Sequence, residues 1–554
     1  MELISAKATR AHAPLLYLSP GILGGLLLAK QFPMTPNWLV YLTLAMGIIS
    51  YFVSKKRAQS ILWLLTFMVS TGGTFWLYAA LRLTQEPPVW IQSLPERELT
   101  LELKVERFFR NSSNENSLNG IASVSQSPHI RADLTGKRIY FRLRRPQANQ
   151  SSYPRGSTIQ AQGILSPCPL PNAPDDFYSF LRQQNVFYCF QRGQVLDIQT
   201  ERSDTTSLFV QLHTQFLHTL QLGIPKEAPA WAIYPAILLG YKAELSPELK
   251  NYFQRSGTLH LFAISGLHIG IVAAIILQAL SLLRLPTVYA GFLGLGITLL
   301  FVLTTGSPPS AVRAFAMIAF YWISLLIGRQ RSALAAWTAS ALIILIIDPQ
   351  QLWNIGFQLS YSVVFSILLL GLPLHQYLLR KLSPHPAIPV HSLTRWQRFQ
   401  QILFEKCSLL FAVSLSAWIS SAPLSLSLFG MLAVNSILVN LLLVNFAALV
   451  LLTGLLSIGF GLVGCAFISE FINHAAWLLI EWMLSIIQVS TQLPASAQNT
   501  LSLSPKIAYA ALIAYGASLL WLHHHPQRSQ SWRVCIPILM MLTFLSVNYW
   551  VQRW

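Results

Sequence analysis

Apolar runs of about 18 residues or more recur along this chain, the length a helix needs to cross the hydrocarbon of a bilayer. Segments at 14–32, 37–54 and 61–81 open the sequence. After a long polar block others follow near 232–242, 259–283, 287–305, 311–328, 333–347, 356–374, 407–429, 432–458, 475–492, 507–523 and 534–551. The segment at 232–242 is too short to span and is expected only to dip in. With 53% hydrophobic and only 10% charged residues, the composition is that of a polytopic α-helical membrane protein rather than a soluble globule. Three regions are expected: a three-span segment at 1–82, a polar domain at 83–225, and a membrane domain at 226–554.

The formal net charge of +18 suggests a nucleic-acid footprint, but surplus Lys and Arg in cytoplasmic loops, which set orientation, accounts for much of it. The cluster Lys55-Lys56-Arg57 between the second and third spans belongs in the cytoplasm by this rule. That choice puts the N-terminus inside and residues 83–225 outside. Arg329-Gln-Arg331 and the basic loop from His375 to Lys406 then also fall in the cytoplasm. Lys7 and Arg10 precede the first run, which reads as a retained anchor, because further spans follow at once and no small-residue cleavage site precedes Lys30.

The polar block alternates, as in Leu99-Thr-Leu-Glu-Leu-Lys-Val105 and Ser157-Thr-Ile-Gln-Ala-Gln-Gly163, which predicts a small outward-facing β-rich domain. In Gly136-Lys-Arg-Ile-Tyr-Phe-Arg-Leu-Arg-Arg145, a strand puts Arg138, Tyr140, Arg142 and Arg144 on one face and Ile139, Phe141 and Leu143 on the other. Guanidinium groups around an aromatic ring suit single-stranded nucleic acid; a strand kept soluble by charge has the same pattern. Cys168 and Cys189 share this block, either as a bridge, if it faces an oxidising compartment, or as two free thiols.

In the membrane part, Thr258-Leu-His-Leu-Phe-Ala-Ile-Ser-Gly-Leu-His-Ile-Gly270 puts His260, Ser265 and His268 at the threshold of an apolar run, where polar groups need partners or water. Gly266 and Gly270 form a GxxxG pair that favours close helix approach. Gly306-Ser-Pro-Pro-Ser310 cannot continue a helix, and Arg313 follows it, an arginine that must snorkel, pair or bind an anion. Asp348-Pro349 ends the next run. Asn354, Gln358 and Tyr361 follow at helical spacing, to line a polar lumen or to join neighbouring helices. Asn435, Asn440 and Asn445 step by five and make no single stripe.

No GxxxxGK[ST] loop, HExxH or GxSxG motif is present, and the five cysteines have no CxxC spacing, so no cofactor or metal is expected; His523-His-His525 is a short basic tract. Two other functions share these polar residues. One is a membrane-embedded hydrolase of a lipid-linked substrate, with His260, His268 and Asp348 as acid-base groups. The other is a small-solute transporter.

The motifs together resemble the ComEC family of competence proteins. Residues 257–270 are similar to its Leu-Leu-Ala-Ile-Ser-Gly-Leu-His segment, Gly306 to Arg313 to its Gly-x-x-x-Ser-x-x-Arg turn, and Asp348-Pro349 with Gly356-Phe-Gln-Leu-Ser360 to its Asp-Pro and Gly-Phe-Gln-Leu-Ser pair. Pro171-Asn-Ala-Pro-Asp-Asp-Phe177 resembles the lead into a short helix of the family's OB-like module. Asn440-Leu-Leu-Leu-Val-Asn445 departs from the family pattern, with Asn445 where proline is usual, and the His and Asp motif of a metallo-β-lactamase-like domain does not occur by Trp554.

The resemblance implies a channel in the inner membrane that conducts single-stranded transforming DNA into the cytoplasm, without enzymatic activity of its own. It implies an OB-like module that contacts DNA, a periplasmic or pilus-linked DNA receptor, a cytosolic ATPase or helicase, a separate nuclease, and surrounding membrane lipid. The expected DNA path runs past His260, Ser265, His268, Arg313, Asp348, Asn354, Gln358 and Tyr361 in the membrane. The expected outer contacts are Arg138, Tyr140, Arg142 and Arg144.

Overall fold

The computed structural model describes residues 19–32, 37–57, 61–82, 96–109, 117–126, 134–144, 158–170, 177–199, 204–241, 245–262, 264–328, 332–385, 392–492, 498–499, 503–525 and 530–551. The lead-in at 171–176, the arginines 329 and 331, and residues 7, 10 and 14 lie outside them; of Lys55, Lys56 and Arg57 only the helical backbone is described. Two compact units are formed, one by Leu81–Thr214 and the other by Met1–Ala80 with Gln215–Trp554.

Five strands build the smaller unit: β1 (Arg97–Phe109), β2 (Ser117–Gln126), β3 (Arg138–Arg144), β4 (Thr158–Pro167) and β5 (Tyr188–Gln199). They close into a barrel in the order β1-β2-β3-β5-β4, with β3 and β5 parallel and the other neighbours antiparallel. Alternation is the cause. Leu101, Leu103, Val105, Ile139, Phe141, Leu143, Ile159, Ala161 and Phe190 all point inward and are sealed from solvent. Each such large side chain contributes roughly 1.5–3 kcal/mol of burial. Closure leaves no unpaired sheet edge.

Outside the barrel a second apolar cluster forms where helix α4 (Phe177–Gln183) lies over Ile121 and Tyr140, together with Leu181, Val186, Cys168 and Cys189. Cys168 and Cys189 are bonded as a disulfide, with Cα atoms 5.0 Å apart. The bond closes the stem of the β4–β5 excursion, beside the backbone bond from Cys168 N to Phe187 O at 2.8 Å.

In the larger unit, eight helices among the described residues are long and apolar enough to cross a membrane, and five shorter apolar helices accompany them. It is a polytopic membrane protein. The opening helices α1 (Ser19–Gln31), α2 (Asn37–Arg57) and α3 (Ile61–Arg82) pack through small residues: a Cβ on Gly25 would lie 2.1 Å from Gly72 O, and one on Gly73 1.9 Å from Thr43 Cγ2. Helix α5 (Asp204–Gln221) leads back into this unit, where α6 (Pro229–Leu239) is short and almost wholly buried, and α7 (Pro247–Arg255) follows.

The run at 259–283 is not one helix. A 3-10 turn, Leu259–Phe262, precedes α8 (Gly266–Leu282). Next come α9 (Thr287–Thr304), α10 (Pro309–Leu326), α11 (Ala333–Ile347), a 3-10 turn at Pro349–Trp353, and α12 (Ile355–Ser366). A π turn, Ile367–Gly371, joins α12 to α13 (Leu372–Leu382). The predicted basic loop at 375–406 is therefore largely helical, because α13 continues past 375 and α14 begins at Arg395. Its opening turn is closed by a capping box of Thr394 and Gln397.

Helices α14 (Arg395–Phe429), α15 (Ser436–Leu462), α16 (Ala466–Gln492), α17 (Pro505–His524) and α18 (Gln530–Val551) complete the unit. Between them Ser366 Oγ donates to Ser416 O at 2.8 Å and shares a 2.6 Å bond with the Tyr515 hydroxyl, a buried link across three helices.

The disulfide yields the first prediction. Of the five cysteines, maleimide added to the denatured, non-reduced protein labels only Cys407, Cys465 and Cys535. Reduction raises the count to five and destabilises the barrel by about 3 kcal/mol, as expected for a loop of this length. Five labels without reductant disprove the bridge.

Candidate functional site

Helices α8, α10 and α12 begin after breaks that proline, serine and asparagine impose, and their N-termini converge. Ser265 is the N-cap of α8. Its hydroxyl accepts from His268 N at 3.4 Å while Ser265 N donates to His268 Nδ1 at 3.5 Å, a capping box completed by an imidazole. With Nδ1 accepting, the ring proton sits on Nε2. Nε2 is buried and has no hydrogen-bond partner among the described residues, and the residue is 1% exposed.

The second break is a forced one. Gly306 and Ser307 both take left-handed backbone, φ +81° and +51°, before Pro308 and Pro309 start α10. Ser310 Oγ then donates to Ile264 O at 2.5 Å, closing the carbonyl that the break before α8 leaves free. A Cβ on Gly266 would meet Ala314 Cβ at 3.5 Å, so the first turn of α8 touches the second turn of α10.

Arg313 joins the third N-terminus to the other two. It is 5% exposed, and its Nη2 donates to Gly356 O at 2.9 Å and Ser360 Oγ at 3.0 Å, while its Nε is buried and unpartnered. No snorkelling occurs. The guanidinium on α10, bonded to the first turns of α12, and the nearby N-terminus of α8 make this junction electropositive.

The remaining membrane residues serve other contacts. His260 stands on the exposed 3-10 turn, with Nδ1 3.3 Å from Gly257 O. Asp348 is spent as a cap, its carboxylate accepting from Gln350 N and from Gln351 Nε2 at 3.1 and 2.9 Å. Asn354 Oδ1 caps α12 through Gly356 N and Phe357 N. The face expected of Asn354, Gln358 and Tyr361 disperses. Gln358 bonds Leu352 O and the Tyr509 hydroxyl of α17, whereas Tyr361 donates to Ser340 Oγ of α11 at 3.2 Å. Gln358 and Tyr361 join helices, and Asn354 caps its own. Asn435 Nδ2 likewise donates to Ser490 O, and Asn445 to Leu441 O of its own helix. Ser310 and Ser360 do more than sequence reasoning assigned to them; their signal was the motif position each holds.

In the barrel, Arg138, Arg142 and Arg144 are exposed along β3, but Tyr140 is 8% exposed under α4, its ring edge-on to Phe177 with centroids 5.2 Å apart. Tyr140 therefore offers no open stacking surface. Burial pushes its hydroxyl above the usual phenol range, with the charge of Arg142 opposing. Arg138 is ion-paired to Glu106 at 2.9 Å.

Comparison with known proteins follows this geometry. The pattern of a family described as "Competence protein" matches residues 237–525, slightly more than half of the chain, and includes the whole junction. "ComE operon protein 3" of Bacillus subtilis is 32% identical over 225 residues, 40% of this chain and 25% of that one. "Recombination protein 2" of Haemophilus influenzae is 23% identical over 420 residues, 74% of this chain and 48% of that one. "Uncharacterized protein YcaI" of Escherichia coli is 28% identical over 167 residues, 28% of this chain and 22% of that one. The chain thus spans at most about half the length of these relatives. No solved structure matches it.

The junction predicts a coupled loss of stability. Arg313→Ala lowers the melting temperature of the detergent-purified protein, equivalent to about 2–3 kcal/mol, and Ser360→Ala lowers it by about 1 kcal/mol. The double variant falls short of the sum because the two share a bond. Strict additivity in thermal unfolding would show that the bond carries no energy.

Proposed function

The chain belongs to the competence protein family, and on that premise we propose that it is a membrane channel of DNA uptake, conducting one strand of transforming DNA across the bacterial inner membrane. The observation that carries this reading is the meeting of the N-terminal parts of α8, α10 and α12, with Ser310 bonded to the chain before α8 and Arg313 bonded to α12, inside an apolar bundle. Broken backbone at membrane depth is tolerated only where protein buries it or where it lines a wet cavity. An electropositive break of this kind lowers the cost of bringing a phosphodiester through low dielectric.

The barrel fits the same reading. Five strands closed in the order β1-β2-β3-β5-β4 agree with an OB-like module, a fold that binds oligonucleotides on its strands and loops. Its disulfide suits an extracytoplasmic position, since such bonds persist in oxidising compartments. We assign residues 83–225 to that side and the N-terminus to the cytoplasm. The path in the membrane passes His268 and Arg313; Arg142 and Arg144 meet the strand outside. A DNA receptor, a cytosolic ATPase or helicase and a nuclease complete the system as separate proteins. The hydrolase alternative has less support, because the Asp348 carboxylate accepts from Gln350 N and Gln351 Nε2, while the Nδ1 atoms of His260 and His268 meet Gly257 O and Ser265 N.

Uptake of labelled DNA into a nuclease-protected interior is the test. A chain truncated after residue 225 takes up none, and a chain with Arg142 and Arg144 reversed to Glu takes up little while still reaching the membrane. Normal uptake by the truncated chain would falsify the channel.

A further inference from the structure

The strand β5 carries a distortion that the packing does not require. On β3, Phe141 pairs with Phe190 and Leu143 with Gly193, so the single residue Arg142 faces two residues of β5, Gln191 and Arg192. On the other side, β4 slips in register at the same place, between Gln162 and Ile164. Arg192 is thus the extra residue of a β-bulge. Its φ is +54°, the left-handed region that glycine fills without strain and arginine rarely adopts.

The neighbouring position shows what packing alone demands. A Cβ on Gly193 would fall 2.6 Å from Leu143 Cδ2 and 2.8 Å from Gln162 O, so glycine is obligatory there. At position 192 the backbone asks for glycine just as directly, yet a guanidinium stands there, exposed to solvent. Strain of this kind collects at functional sites. Arg142 lies opposite the bulge, and Arg144 pairs with Gln194 two residues further on, both also exposed. Among the described residues none of the three has an acidic partner, whereas Arg138, on the same strand, is neutralised by Glu106.

We propose that Arg142, Arg144 and Arg192 form a phosphate-binding cradle on the barrel, with Arg192 presented by the bulge as its third donor. The ligand is the sugar-phosphate backbone of a single strand, since guanidinium groups contact phosphate and Tyr140, the aromatic residue in the outer row of β3, lies under α4. This rests on the channel reading and adds to it a residue and a mode of recognition.

The experiment measures binding of a labelled oligothymidylate of about 15 nucleotides to the full-length, detergent-purified protein across a salt series. Three phosphate contacts contribute about −2 to the slope of log K against log salt, roughly −0.7 each. Arg192→Gly relaxes the backbone, so its melting temperature stays level or rises, while affinity falls several-fold and the slope shrinks by about 0.7. Arg192→Lys keeps the slope. Unchanged affinity and slope in Arg192→Gly, with loss in Arg142→Ser/Arg144→Ser, overturns the cradle and leaves the channel reading intact. No binding by the unaltered chain overturns both. If Arg192→Gly weakens only the binding of anionic phospholipid vesicles, the patch belongs to a lipid surface and the proposal fails.

Discussion

Hydrocarbon offers no hydrogen bonds, so every interruption of a membrane helix must be satisfied by the protein's own polar groups. This one constraint organises the larger unit. The carbonyl left open at Ile264 is answered by Ser310, and the amides opening α12 by Asn354. Arg313 adds a bond to the carbonyl of Gly356 and so ties α10 to α12. Each answer comes from the start of a helix, which draws the helix starts together. Their shared positive ends are the electrostatic result of a packing solution.

Two of these side chains are only partly engaged in the junction. Arg313 has one nitrogen committed to the fold and another, Nε, that is not; His268 has one nitrogen closing a cap and Nε2 without a partner among the described residues. Asp348 makes its contacts locally, each oxygen accepting one hydrogen bond within the turn that it caps.

Much of the architecture was legible because lipid and barrel impose simple periods. The apolar runs gave the helices, and alternation in Leu99–Val105 gave the inward row of β1. What was not legible depended on distant partners. Arg313 reads as costly in isolation, since its acceptors lie 43 and 47 residues ahead. Tyr140 reads as exposed by alternation, but a helix that begins at Phe177 covers it. Arg192 left no mark at all, because a bulge arises from the registers of two neighbouring strands and not from any local pattern.

The π turn at Ile367–Gly371 has a consequence for how one long helix meets several neighbours. One additional residue in a helical turn shifts the phase of everything beyond it by about 100°. Before the turn, Phe357 and Tyr361 stack toward Trp337; beyond it, Leu374, Tyr377 and Leu378 pack with Ala412 and Val534. A single rod from 355 to 382 thus shows two differently phased seams. It can key the half of the bundle that contains the junction to the half that contains the C-terminal helices.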